Sequence, residues 1–188
     1  MTTATLIDSA GTLVHRPAGT GETFIGPGDL YRFLVTGEET GGAYFAMEAI
    51  VPPGGGPPPH IHPNGDERFS VEQGQVEFLV GRQKTVAGPG DELLVPRGTR
   101  HAFKNVGGTE AVFRAEVIPE PSGRGQEFFR ETAAAARQGM YTKRGIPTGP
   151  RAAIHLLRIL DRYQDFALIC NPPPAVQRLL FGLVRGRR

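Results

Sequence analysis

The sequence predicts an all-β antiparallel barrel carrying a C-terminal helical extension, and three observations predict it. Glycine and proline are abundant, 26 and 17 of 188 residues, and fall between short apolar runs rather than in low-complexity blocks. That punctuation marks many short strands joined by turns. Several runs alternate apolar and polar side chains, as half-buried strands require. Beyond Pro119 the apolar spacing becomes helical.

Taken in order, residues 1–39 read as strands and loops leading into the barrel, with a strand over Tyr31–Thr36. His15, followed by Arg16 and Pro17, is expected in a loop. The segment Ala43–Val51 is a clearer strand that sets Phe45, Met47, Ala49 and Val51 on one face. After Glu67, Phe69 and Val71 continue one face, and Arg68, Ser70 and Glu72 occupy the other. Gly74 interrupts the run, and Val76–Val80 resumes it. Further strands are expected over Glu92–Val95, Ala102–Asn105 and Ala111–Ile118. Residues 119–125 look like a linker. A helix over Gln126–Gln138 ends at Gly139, which suits the position just past a helix end. A second helix is expected from Arg151 to Tyr163, with Ile154, Leu157 and Leu160 at helical spacing and His155 on its stripe. A third begins near Pro174. The predicted division is a barrel over residues 1–120, with its chemical motifs in 54–105, and an extension over 121–188 that packs on the barrel or on a partner subunit.

Composition narrows the function classes. A formal net charge of +2 makes no demand for nucleic acid as a partner. The single cysteine, Cys170, rules out an internal disulfide and suits a reducing compartment. The N-terminal residues show no secretory pattern, and no apolar run approaches spanning length. These features lead us to expect a cytoplasmic protein. The last segment mixes Leu179, Leu180, Phe181, Leu183 and Val184 with Arg178, Arg185, Arg187 and Arg188. A basic apolar helix can lie on an anionic membrane. Docking on the barrel or a partner, with the arginines in water, is the reading we prefer for so short a helix.

The chemistry is concentrated in His60, His62, Glu67 and His101. Two histidines two positions apart on a strand point to the same face. Between His62 and Glu67 lie Pro63, Asn64, Gly65 and Asp66, and Asn-Gly is a strong turn signal. A hairpin closed there is expected to make His62 and Glu67 cross-strand neighbours, close enough to share a cation. His101, after the turn Pro96–Gly98, adds a fourth ligand from a distant strand. Singly, each of these residues is more often a packed or solvated side chain. Together they point to one metal site.

These residues resemble the cupin superfamily. The first cupin element reads Gly54, His60, His62, Glu67, Gly74 without a gap, and the second reads Gly90, Pro96, Gly98, His101, Asn105. The resemblance is close over about residues 40–120. It implies a cupin-type antiparallel β-barrel (jelly roll), in a single-domain form similar to the quercetin dioxygenase-like cupins, and a homodimer paired through barrel strands. It also implies one divalent transition metal held by His60, His62, Glu67 and His101. Iron, manganese, nickel, copper, cobalt and zinc all accept imidazole and carboxylate ligands, so ligand type does not choose among them.

Four protein ligands on an octahedral ion leave two adjacent positions for water, oxygen or a chelating substrate. Glu67 is also the candidate catalytic base, a role open to a carboxylate at the metal's edge. The inward phase places Met47, Phe69, Val71, Phe78 and Phe103 around the site, a lining suited to a largely apolar, aromatic or enolic small molecule. Three functions follow. The first is a metal-dependent oxygenase acting on such a substrate. The second is a metal-dependent isomerase, cyclase or lyase that consumes no oxygen. The third is a non-enzymatic small-molecule-binding protein with a structural metal.

Overall fold

A computed structural model describes residues 4–7, 13–16, 23–25, 29–119, 124–142 and 145–185. Among these residues thirteen strands run in chain order: β1 Ala4–Ile7, β2 Leu13–Arg16, β3 Thr23–Ile25, β4 Leu30–Val35, β5 Phe45–Val51, β6 His60–Ile61, β7 Asp66–Gln73, β8 Val76–Val80, β9 Gln83–Ala87, β10 Glu92–Val95, β11 His101–Asn105, β12 Ala111–Ile118 and β13 Leu168–Ile169. Three helices among them follow β12: α1 Arg124–Arg137, α2 Pro150–Arg162 and, after β13, α3 Pro174–Arg185. Strands β1 and β2 form a separate pair. The others form two antiparallel sheets, one ordered β10-β7-β12-β5-β4-β3 and the other β13-β6-β11-β8-β9.

Alternation decides which side chains meet between the sheets. In β7, Glu67, Phe69 and Val71 are buried, and Arg68 and Glu72 are exposed. Phe78 on β8 lies opposite Phe103 on β11, and Phe113 on β12 lies opposite Ala49 on β5. Four phenylalanines, Phe69, Phe78, Phe103 and Phe113, interlock with ring centroids 4.8 to 6.5 Å apart. Each such side chain contributes about 2–3 kcal/mol of hydrophobic stabilisation when fully buried. On the outer face of the larger sheet, Arg32 pairs with Glu48, and Arg114 and Arg68 pair with Glu116.

The helical part shares the barrel's apolar core. Phe129 of α1 lies 5.1 Å from the Tyr31 ring and 6.0 Å from Phe45, and Phe128 lies 5.6 Å from Phe166. Gly139 ends α1 with φ +71°, and its amide donates to Ala136 O at 2.9 Å. Helix α2 starts with Pro150, which needs no amide partner there. It buries Ala152 and Ile159 most deeply, so the expected stripe of Ile154, Leu157 and Leu160 is only half-buried, as is His155. Helix α3 buries Phe181 and Val184 and ties Arg185 to Asp161, leaving Val176, Leu179 and Leu183 exposed. Among the described residues, no helix is long and apolar enough to cross a membrane.

Two expectations need correction, and one strand was not expected at all. The turn Pro63–Asp66 does not close a hairpin: β6 pairs with β11 and β13, whereas β7 pairs with β10 and β12. The chain crosses from one sheet to the other there, so His62 and Glu67 face each other across the barrel. His15 lies in β2, opposite Thr5, not in a loop. Gln83–Ala87, unassigned from sequence, is a strand; its first four residues are exposed, so the edge strand shows little apolar alternation.

Candidate metal centre

The first histidine comes from β6 and the second from the residue just after it. Glu67 is near the start of β7, and His101 opens β11 directly opposite His60. All four side chains are buried, Glu67 with 3% of its surface exposed. One ligand atom from each lies within 4.8 Å of those from the other three. Ring centroids separate His60 from His101 by 4.3 Å, His60 from His62 by 5.0 Å, and His62 from His101 by 5.4 Å.

Local chain geometry holds these positions. The Gly98 amide donates to His62 O at 2.8 Å, and Gly98 sits at φ +75°, where a side chain would be strained. The neighbouring Arg97 reaches Asp66 through both Nε and its backbone amide, at 3.0 and 2.8 Å. The turn before His101 therefore clamps the turn before Glu67. Gly56, at φ +138°, lies so close to β11 that a Cβ would stand 2.1 Å from Phe103 O. Asn105 proves structural: its Nδ2 donates to Val51 O and Thr109 O, and its Oδ1 accepts from the Gly107 amide.

The hydrogen bonds fix the chemistry of the imidazoles. His60 Nδ1 is 3.1 Å from Pro58 O, His62 Nδ1 2.7 Å from Phe166 O, and His101 Nδ1 2.8 Å from Thr99 O. A carbonyl only accepts, so each Nδ1 must donate. A neutral ring so held presents its Nε2 lone pair to a cation, as a metal ligand must. Without a cation, Nε2 of His101 and of His62 can take a proton and donate it to Glu67. Glu67 Oε2 stands 2.7 Å from His101 Nε2 and 3.4 Å from His62 Nε2. Three such nitrogens and one carboxylate, drawn to one buried point, fit a metal ion.

Burial and mutual charge set the proton affinities. Burial, reinforced by the charges of His62 and His101, pushes His60 down to about 3, so it is neutral across the physiological range. Burial also works against a charged His62, but the Glu67 charge and the bonds to Glu67 and Phe166 O outweigh it and raise its pKa. Burial would raise Glu67, yet the His62 charge and the bonds from His101 and His62 hold it well below the usual carboxylate range.

Met47, Phe69, Val71, Phe78 and Phe103 are all buried in the core shared by the two sheets. Phe69 is nearest the cluster in this set of rings, 6.5 Å from His101, and Phe78 packs behind it at 4.9 Å. Sequence reasoning missed two features. One is Phe166, whose carbonyl and ring both meet His62, the ring at 4.9 Å; a main-chain contact leaves no mark in a sequence. The other is the buried pair Asp29 and Tyr31, joined by a 3.0 Å hydrogen bond. The Tyr31 hydroxyl is raised well above its ordinary value by burial, then by the Asp29 charge and that bond, with Glu67 adding to it.

Residues 47–117 match the family described as Cupin domain. A germin-like protein, subfamily 1 member 4, of Arabidopsis thaliana is 36% identical over 106 residues, 49% of this chain and 46% of that protein. The chain thus spans less than half the length of this curated relative. Among solved structures, an RmlC-like cupin from Shewanella frigidimarina is 18% identical with a TM-score of 0.49, covering 57% of this chain and 91% of that one. The polyketide cyclase RemF from Streptomyces resistomycificus is 21% identical with a TM-score of 0.48, covering 61% and 94% respectively.

Proposed function

With residues 47–117 matching the cupin domain family, we propose that this chain is a metal-dependent oxygenase acting on a small aromatic or enolic molecule. The observation that carries the reading is the buried convergence of His60, His62, Glu67 and His101, with every Nδ1 tied to a carbonyl. A divalent transition metal held by these four residues supplies a Lewis acid for the oxygens of a chelating substrate and, if redox-active, one-electron chemistry.

The protein's own residues account for the rest. Three neutral imidazoles and one carboxylate leave a divalent ion with a net charge of about +1, matched to an enolate or phenolate ligand. Glu67 would enter as the carboxylate ligand that balances the ion's charge, and at the metal's edge it keeps the alternative role of catalytic base. Met47, Phe69, Val71, Phe78 and Phe103 belong to one apolar core cluster, which supports a largely apolar substrate. Pairing of two chains through barrel strands belongs to the same proposal, and light scattering of the purified protein tests it.

Protein purified without chelator or histidine tag, analysed for metal and then mixed with flavonols, catechols and diketones, provides the test. We expect oxygen consumption that depends on metal and on one substrate class. Turnover without oxygen uptake would replace this reading with a second, an isomerase, cyclase or lyase. One observation favours that second reading. Asp29 is a buried carboxyl pushed up to about 6, and its partner Tyr31 lies within electrostatic reach of Glu67. A group that changes charge near neutral pH and bonds to a residue sensing Glu67 is suited to proton transfer. Metal binding with no turnover under air or nitrogen would support the third, non-enzymatic function.

A further inference from the structure

The geometry points to Phe166 as a positioning residue for His62, so that the segment Asp165–Cys170 of the C-terminal extension completes the metal centre. This inference rests on the metal reading above and adds to it an element outside the two cupin motifs.

The three imidazoles are not held alike. His60 and His101 each donate Nδ1 to a carbonyl two residues away, Pro58 O and Thr99 O, so their supports come with the local turns. His62 takes its acceptor, Phe166 O, from 104 residues further along the chain, and at 2.7 Å this is the shortest of the three bonds. Its tautomer and ring orientation therefore depend on a segment beyond the matched domain. The Phe166 ring adds a second contact, 4.9 Å from the His62 ring at 58°.

The segment is fastened along the ligand strand on both sides of this contact. Asn64 Nδ2 donates to Asp165 O at 2.8 Å, Leu168 and Ile169 of β13 pair with Ile61 and His60 of β6, and the Cys170 amide donates to Pro59 O at 2.8 Å. Strand β6 has two residues and meets β11 only at His60 opposite His101. Its other neighbour is β13. From the opposite side α1 leaves room for the anchor: a Cβ at Gly125 would stand 2.7 Å from Phe166 Cε2. Phe128 and Phe129 then continue the aromatic packing into α1, at 5.6 and 6.1 Å from Phe166.

If docking of this segment orients a ligand, metal binding and docking are linked, and each must strengthen the other. Outer partners of ligating histidines typically govern affinity by about 10–100-fold. Phe166→Gly frees the anchor without touching a ligand, and Phe166→Leu keeps an apolar one. Cobalt(II) is a suitable probe because its ligand-field spectrum reports coordination directly.

In full-length protein titrated with cobalt(II), we expect Phe166→Gly to weaken affinity by about 10–100-fold and to alter the cobalt spectrum. Phe166→Leu should recover most of both. In the wild type, cobalt(II) should slow hydrogen exchange at the Cys170 amide, a measurement that decides the matter even if Phe166→Gly fails to fold. Equal affinity and an identical spectrum for folded Phe166→Gly would overturn this inference and leave the metal reading standing. So would unchanged exchange at Cys170 on metal addition. A wild type that binds no cobalt(II) would instead sink the metal reading, and this inference with it.

Discussion

Replacing Asp29 by asparagine removes one titrating carboxyl from a buried position that the chain could have filled with a neutral residue. Asp29 Oδ2 accepts from the Tyr31 hydroxyl at 3.0 Å, and Oδ1 has no partner among the described residues. That free oxygen faces Gly55 in the loop leading to His60, where a Cβ would lie 2.9 Å from it. Burial costs the charged form more than the Tyr31 bond returns, so the carboxyl is raised from 3.8 to about 6. At ~1.4 kcal/mol per tenfold change in proton affinity, the difference is about 3 kcal/mol. Because the folded state binds this proton more tightly, the stabilisation is fully present below pH 3.8 and is lost as pH rises through about 6. The amide of the variant does not titrate. Chelator-treated wild type and Asp29→Asn, unfolded in urea at steps from pH 4 to pH 7.5, should therefore diverge. The variant gains about 3 kcal/mol relative to wild type over that range, equivalent to roughly 6–12 °C in Tm. Other acids titrating in the same window cancel in the difference. Parallel pH profiles, separated by a constant offset, would refute the assignment of a raised Asp29.

His62→Ala should lose most bound metal and keep the far-UV circular dichroism of the barrel; unchanged metal stoichiometry by elemental analysis would remove the basis of the site. Gly56→Ala must place a Cβ 2.1 Å from Phe103 O at a φ of +138°, and should cost about 3 kcal/mol by chemical denaturation. A loss below about 0.5 kcal/mol would mean that the loop before His60 has room it does not show. Phe113→Ala, at the centre of the four-ring cluster, should destabilise by about 3–5 kcal/mol. Leu179→Ala on α3, with 67% of its surface exposed, should change the same midpoint by less than about 0.5 kcal/mol.

Strands with a wet face and a dry face were legible from their alternation: Val76–Val80, Glu92–Val95 and Ala111–Ile118 have the expected limits. Helix ends were legible within a residue or two because proline and glycine act locally, as at Pro150, Pro174 and Gly139. The four converging side chains were legible because they lie within two short motifs. Sheet membership was not. Pro63–Asp66 announces that the chain turns, but the same residues serve a turn within one sheet or a crossing between two. What separates the alternatives is which strands pair with β6 and β7, and those partners, β11, β13, β10 and β12, are remote in sequence.

The same distinction explains why the clustered side chains could be read and one of their supports could not. A side chain that must bind a cation has to be histidine or a carboxylate, so its chemistry is written in residue type and spacing. A main-chain carbonyl is present at every position, and Phe166 could contribute the same acceptor under many identities. The contact therefore depends on placement, and placement depends on Gly125 leaving room, Asn64 holding Asp165, and β13 adding to β6. None of those residues looks chemical alone. Where the strand carrying His60 is two residues long, the segment paired along its edge is expected to govern how firmly His60 and His62 point. Chains that share the two motifs but differ after the last barrel strand should therefore differ in metal affinity even with identical ligands.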